Sequence, residues 1–132
     1  MAWTINPSKE DLTLLLEAGM LCRDLHQLKD ARDIFRGVRI LVPASDVPEV
    51  ALGTVAFQEG DFVAAGKHYR RALELNPRSA WAYAHLGELA LFQADREQAS
   101  AYLKTAIELD PRGDHGKLAR ALLEFADAVV FK

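Results

Sequence analysis

The chain has 132 residues with a formal net charge of -3; half of the residues are hydrophobic and 27% are charged. This length suits one domain with one core, and the apolar content excludes a disordered or collagen-like chain. The slightly acidic balance lacks the clustered Lys and Arg that bind a phosphate backbone, so we expect no nucleic-acid partner.

A short segment, Met1 to Ile5, precedes the predicted helices and contains Trp3. Asn6 followed by Pro7 predicts the start of the first helix, because Pro is favoured in a first helical turn. Charged residues precede the short apolar run Leu12 to Leu16, and no stretch approaches the roughly 18 apolar residues of a membrane span. We therefore expect neither a secretory leader nor a membrane-spanning helix.

Three repeating units follow, at residues 12–45, 46–79 and 80–113, and each contains two helical patterns separated by a breaker. A fixed period of this length is typical of stacked helical hairpins. The aligned columns are Pro43, Pro77 and Pro111, then Gly19, Gly53 and Gly87, then Ala31, Ala65 and Ala99, and finally the bulky residues Phe35, Tyr69 and Leu103.

Polar residues at the unit boundaries predict where the helices begin. Asp61 and Asp95 are suited to cap the second helices of their units. Asp46 with Glu49, and Ser79, are suited to open the first helices of the second and third units.

Small residues mark close helix approaches in this pattern. The repeated glycines and alanines lie where two helices must come together, since a larger side chain would separate the pair. Two further glycines, Gly37 and Gly66, fall inside predicted second helices and are interpreted as additional contact points.

The tail, residues 114–131, has apolar residues at helical spacing and predicts a seventh helix that caps the third unit. These apolar residues are Leu118, Ala121, Leu122, Phe125, Ala126, Val129 and Val130. The sequence thus predicts an all-α chain that forms a single domain over residues 1–132.

The units resemble the tetratricopeptide repeat, in which an aromatic residue, Leu-Gly, Ala, a large residue and Pro recur over about 34 residues. The third unit matches this pattern at Tyr83, Leu86, Gly87, Ala99 and Pro111. The second unit matches at Leu52, Gly53, Ala65, Tyr69 and Pro77, but has Glu49 at the aromatic position. The first unit has Leu15 at the aromatic position and Ala18 at the leucine position. The resemblance implies a right-handed superhelix of three helix-turn-helix repeats plus a capping helix.

The same resemblance implies that the first helix of each repeat lines a concave, partner-binding groove. The implied groove residues are Leu16, Met20, Arg23, Val47, Val50, Thr54, Phe57, Trp81, Ala84, His85, Glu88 and Leu91. Most are apolar, and a bare apolar groove promotes aggregation. We therefore expect an apolar helix or extended segment of a protein partner to occupy it, with Phe57 and Trp81 as anchors.

Two other ways of covering the apolar groove remain open. Met1 to Ile5 could fold back over the groove, or two copies could pack face to face as a homodimer, which would make the chain a self-associating structural scaffold of a larger assembly. An enzyme that uses His85 and Glu88 is the third hypothesis.

The sequence lacks the patterns that carry chemistry: a nucleophile with its base, a phosphate-binding glycine loop or a metal-ligand cluster. Its histidines, His26, His68, His85 and His115, show no ligand spacing. We therefore expect a non-enzymatic protein with no catalytic residue, metal or cofactor. The single cysteine, Cys22, cannot form an internal disulfide, which favours a cytoplasmic location.

The chain also resembles the small chaperones of bacterial type III secretion, which hold a needle or translocator subunit before export. The similarity lies in the small size, acidic balance, three repeats and apolar groove of the chain. Residues 14–43, with Leu-Glu-Ala-Gly near the start and Val-Arg-Ile-Leu-Val-Pro at the end, also resemble small repeat proteins encoded with such systems. It implies a partner that exposes apolar segments and that an apolar groove would sequester by mass action.

Overall fold

The structure is a computed structural model that describes residues 6–128, and this part of the chain folds into seven α-helices. The helices are α1 (Lys9–Asp24), α2 (Leu28–Leu41), α3 (Val47–Gln58), α4 (Phe62–Leu75), α5 (Ala80–Phe92), α6 (Arg96–Leu109) and α7 (Asp114–Ala128). The predicted all-α fold is confirmed. The segment Met1 to Ile5 and the end of the predicted capping helix, residues 129–131, lie outside the described residues.

The helices pack in sequence as hairpins. α1 packs against α2, α3 against α4 and α5 against α6, while α2 contacts α3 and α4 contacts α5 to join one hairpin to the next. α7 packs against both α5 and α6, so it caps the third hairpin as expected. Each hairpin thereby buries the apolar face that it could not bury alone.

The glycine column and the bulky column meet inside each hairpin. A Cβ atom added to any of these glycines would overlap a side chain of the facing helix. The contacting pairs are Gly19 with Phe35, Gly53 with Tyr69, and Gly87 with Leu103. All three bulky side chains are fully buried, so the repeat period encodes a close helix contact, as predicted.

Three of the predicted caps are confirmed. The side chains of Asp61 and Asp95 each accept a hydrogen bond from the backbone N–H three residues later, at 3.1 Å. The Ser79 hydroxyl accepts from the backbone N–H of Ala82, also at 3.1 Å. Each bond satisfies one of the unpaired N–H groups at a helix start.

Of the two other predicted helix starts, the one at Asn6 is wrong and the one at Asp46 is correct in position. α1 is capped by Ser8 rather than Asn6, because Ser8 and Asp11 form a reciprocal capping box. Asp46 is the N-cap residue of α3 as predicted, but its side chain makes no cap bond; instead, the Ser45 hydroxyl accepts from the backbone N–H of Val47 at 3.2 Å.

The interpretation of Gly37 as a contact point is also wrong, since a Cβ atom there would meet nothing within 4 Å. At Gly66 the neighbouring atoms belong to the end of the Arg70 side chain, at 3.1 Å and beyond. That side chain is flexible and exposed, so it does not fix the spacing of two helices.

Glu49 occupies the position that carries an aromatic residue in the third repeat, and only 7% of it is exposed. Its carboxylate lies 3.5 Å from Arg39 Nη1 on α2 and 3.0 Å from His68 Nδ1 on α4. A buried carboxylate needs such partners, because desolvation of an unpaired charge is costly. Glu49 therefore links the first hairpin to the second through polar contacts.

Candidate functional site

An open cleft of about 500 Å³ lies along the first helices of the hairpins and reaches α7. Its lining residues are Met20 and Arg23 of α1, Thr54, Phe57 and Gln58 of α3, Trp81, His85 and Glu88 of α5, and His115 and Leu118 of α7. Seven of the twelve residues proposed from sequence are therefore together here: Met20, Arg23, Thr54, Phe57, Trp81, His85 and Glu88.

The other five proposed residues lie elsewhere. Val50 and Ala84 are completely buried and Leu91 is 9% exposed, so these three belong to the core. Leu16 is partly buried against the core between the first and second hairpins, and Val47 lines a separate cavity beside Asn76 and Asp110.

These positions are covered because α3 and α5 are sandwiched between neighbouring helices. Every residue of α3 from Pro48 to Ala56 is buried, so this helix has almost no free face. The cleft lining is consequently less apolar than the sequence columns suggested, with apolar and polar side chains mixed along it.

Three lining residues were missed from sequence: Gln58, His115 and Leu118. Gln58 follows Thr54 by four residues and so shares its helix face, a signal that the sequence does contain. His115 and Leu118 come from the capping helix, and only its packing against α5 brings them to the cleft.

Aromatic rings form a continuous series along the floor and wall of the cleft. The Trp81 indole stacks on the His115 ring, with centroids 5.7 Å apart and planes 15° apart. Trp81 also packs against His85 in an edge-to-face arrangement with centroids 6.0 Å apart, and His85 stacks on the buried Tyr69 ring at 5.6 Å. Flat π faces of this kind favour aromatic, aliphatic or cationic side chains of a ligand.

Polar groups surround these rings. Arg23 Nη1 donates to the Thr54 hydroxyl at 2.9 Å, and the same guanidinium pairs with Asp24 at 3.2 Å. His85 Nδ1 donates to Glu88 Oε1 at 3.2 Å. Because Arg23 carries five N–H donors, it can hold these contacts and still donate to a ligand in the cleft.

Tyr69 lies beneath this polar layer, and its hydroxyl is buried without a hydrogen-bond partner among the described residues. Burial raises the pKa of Tyr69, and the Glu88 carboxylate raises it further, while Arg23 acts in the opposite direction. The Tyr69 hydroxyl is therefore a neutral group at physiological pH.

One end of the cleft continues into an exposed aromatic cluster. Phe57 packs against Phe62 at 5.3 Å and against the edge of Phe92 at 4.9 Å between ring centroids. Phe92 is 64% exposed. The apolar surface available to a ligand thus extends past the cleft to the turn end of the second and third hairpins.

Within residues 6–128, no cluster of three or more His, Cys, Asp or Glu side chains is placed to hold a metal ion. The same range contains no helix that is both long and apolar enough to cross a membrane. What the cleft offers a ligand is aromatic faces with hydrogen-bond donors beside them.

The tetratricopeptide repeat family model matches residues 56–123, which is more than half of the chain. A comparison with curated proteins finds no match.

Three solved structures illustrate the structural likeness. The type III secretion chaperone SycD of Yersinia enterocolitica, in complex with a peptide of the translocator YopD, has a TM-score of 0.72 and 18% identity, covering 92% of this chain and 95% of that one. PcrH of Pseudomonas aeruginosa, with the chaperone binding region of PopD, has a TM-score of 0.73 and 22% identity, covering 96% and 98%. The first repeat domain of Spaghetti (RPAP3), bound to the HSP90 peptide SRMEEVD, has a TM-score of 0.72 and 19% identity, covering 94% and 96%. At these identities the likeness shows the fold, and the predicted three-hairpin repeat fold is confirmed.

Proposed function

Because the chain belongs to the tetratricopeptide repeat family, a family of protein-interaction modules, we propose that its cleft holds an extended segment of a protein partner. The observation that supports this most directly is the mixed lining of the cleft, in which aromatic faces and unshared N–H donors lie side by side. The proposed binding residues are those of the sequence prediction that line the cleft, together with Gln58, His115 and Leu118.

An extended segment suits this lining better than a helix. A helix pairs its own backbone groups, whereas an extended chain leaves carbonyl groups that must be satisfied by the protein that binds it. Arg23 and Gln58 can donate to such carbonyls, since both line the cleft and carry N–H groups.

The aromatic series supplies the anchor. An apolar partner side chain placed against Trp81 and Phe57 would lose its water contacts, and full burial of one such side chain contributes about 1.5–3 kcal/mol. Two anchors would therefore provide much of the binding free energy, and the polar contacts would set the register.

An acidic C-terminal tail is a poor ligand for this cleft. The HSP90 peptide bound by Spaghetti contains two Glu and one Asp. Here Arg23 already pairs with Asp24, and Glu88 places a negative charge on the lining. A carboxylate-rich segment would meet this negative charge with little to compensate for it.

As the finer proposal, the partner is a translocator or needle subunit of a type III secretion system, held before export. Both SycD and PcrH are seen with a segment of a translocator, and the resemblance of residues 14–43 to small repeat proteins encoded with such systems points the same way. The chain would then act as a non-enzymatic chaperone in the cytoplasm. Co-expression with those subunits tests this: a stable complex supports it, and partner subunits that remain insoluble contradict it.

The cleft itself is tested with peptides selected from a random display library against the whole chain. The blocking variant is Gln58→Trp, because Gln58 is exposed and lines the cleft, so a large side chain would fill the space without entering the core. The matched control is Gln98→Trp, at an exposed glutamine on α6 that lies outside the cleft lining.

We expect Gln58→Trp to weaken binding of the selected peptides by about tenfold or more, and Gln98→Trp to leave their affinity unchanged. Enrichment of peptides with bulky apolar residues would support the proposed anchors. Equal binding to both variants would place the binding site elsewhere and refute the cleft proposal.

A further inference from the structure

The outer face of α1 carries an apolar stripe that no described residue covers. Leu14, Leu21 and Leu25 are 64%, 60% and 61% exposed, and Ala18 between them is exposed as well. The intervals of four, three and four residues are those of a helix-packing seam. Exposed leucines scattered singly are common, but four apolar residues aligned on one helix face are a docking feature.

The stripe lies on the side of α1 that points away from the rest of the chain. α1 packs on α2 through Gly19 and Phe35, and Leu16 and Met20 contact the core of the first hairpin. At about 100° per residue, Leu14 and Leu21 lie roughly 140–160° around the helix from Gly19 and Leu16, on nearly the opposite side. α1 is therefore apolar on two faces, and only one of them is used by the fold.

One edge of the stripe is acidic. Glu10, Glu17 and Asp24 recur at intervals of seven residues, so they form a line beside the leucines. Asp24 pairs with Arg23, whereas neither Glu10 nor Glu17 makes an ion pair with any of residues 6–128. This edge therefore carries negative charge that is available to a partner.

The charge of the acidic edge determines which kind of helix can pack on the leucine stripe. In an antiparallel pair of α1 helices from two copies, the acidic edge of each would face that of the other, which is repulsive. In a parallel pair each acidic edge would face Leu15 and Cys22, with no positive charge opposite it. A second copy of this chain is thus a poor match in either direction.

We propose that the outer face of α1 is a second docking surface, which binds an amphipathic helix of a protein partner whose apolar stripe is bordered by Lys or Arg. The leucine stripe supplies the apolar contact, and Glu10 and Glu17 select the positive border. This surface is separate from the cleft, so the two can be occupied at once.

The test uses two synthetic helical peptides, each about three heptads long, with the same leucine stripe. One has Lys and the other Glu at the flanking positions. We expect the whole chain to bind the Lys peptide about tenfold more tightly than the Glu peptide, with the difference shrinking at high salt.

Two variants separate docking from general charge attraction. Leu14→Glu with Leu21→Glu makes the chain more acidic, so attraction by charge alone would strengthen binding of the Lys peptide, whereas docking on the stripe predicts a loss of about tenfold or more. Glu17→Lys should reduce the preference for the Lys peptide. Both leucines are exposed, and circular dichroism checks that the helices are retained.

The cleft-blocking variant Gln58→Trp should bind the Lys peptide normally, which keeps this proposal distinct from that for the cleft. Equal affinity for the two peptides, or undiminished binding to the double leucine variant, would overturn it. A dimer in sedimentation that is lost in the double variant would assign the stripe to a second copy and would also overturn it.

Discussion

Replacement of Glu49 by Gln tests whether a buried carboxylate joins the first two hairpins. The substitution keeps the side-chain size but removes the charge that Arg39 and His68 contact at 3.5 and 3.0 Å. A hydrogen bond to a charged group contributes about 1.5–3 kcal/mol and a neutral one about 1 kcal/mol. The His68 contact is a hydrogen bond that loses about 1 kcal/mol when the charge is removed, and the ion pair with Arg39 contributes up to about 1 kcal/mol more. The total loss is therefore about 2 kcal/mol.

That loss can be measured as a change in thermal stability. With an unfolding entropy of about 2.1 cal/mol/K per residue, 2 kcal/mol in a chain of this length corresponds to a fall in Tm of about 7 °C. Calorimetry of the wild type and Glu49→Gln provides the comparison.

The matched control is Glu74→Gln, because Glu74 pairs with Arg71 on the surface at 2.8 Å with 66% of its side chain exposed. Exposed ion pairs contribute about 0–1 kcal/mol, so the control should shift Tm by no more than about 4 °C. If Glu49→Gln costs no more than Glu74→Gln, Glu49 does not link the hairpins and this reasoning is wrong.

Three further substitutions probe the core. Tyr69→Phe removes a buried hydroxyl that has no hydrogen-bond partner among the described residues. Calorimetry should therefore show that the free energy of unfolding rises by about 1 kcal/mol. No rise would mean that the hydroxyl does have a hydrogen-bond partner. Burial raises the pKa of the Tyr69 hydroxyl. The unfolded chain therefore loses this proton from about pH 10, whereas the folded chain keeps it, so the folded state loses stability above about pH 10. Tyr69→Phe lacks this group, and its loss of stability above about pH 10 should be smaller. Gly37→Ala has open space around its Cβ position and should stabilise α2 by up to about 1 kcal/mol in urea unfolding. Gly53→Ala would overlap the Tyr69 ring and should destabilise, so equal effects of the two alanines would contradict the close-contact account.

The repeat period made the hairpins predictable. A 34-residue spacing places Gly53 against Tyr69 and Gly87 against Leu103 because each repeat uses the same contact. The caps at Asp61 and Asp95 followed from residue type and position. Local chemistry and the period together therefore determine most of the helices.

The site was only partly predictable, because a column in a repeat says which way a residue points but not what covers it. Val50 and Ala84 occupy columns assigned to the groove, yet neighbouring helices on both sides bury them completely. His115 reaches the cleft from the capping helix, and no repeat column contains it. Glu49 departs from the family pattern, and its partners on α2 and α4 become visible only in three dimensions.

The proposal for the cleft is tested most directly by nuclear magnetic resonance of the isotopically labelled chain with a selected peptide bound. We predict contacts between the peptide and the Trp81 ring, shifts of the Arg23 and Gln58 side-chain signals, and peptide couplings of an extended backbone. A bound peptide that is helical, or that contacts the outer face of α1 and leaves Trp81 unchanged, would contradict the account.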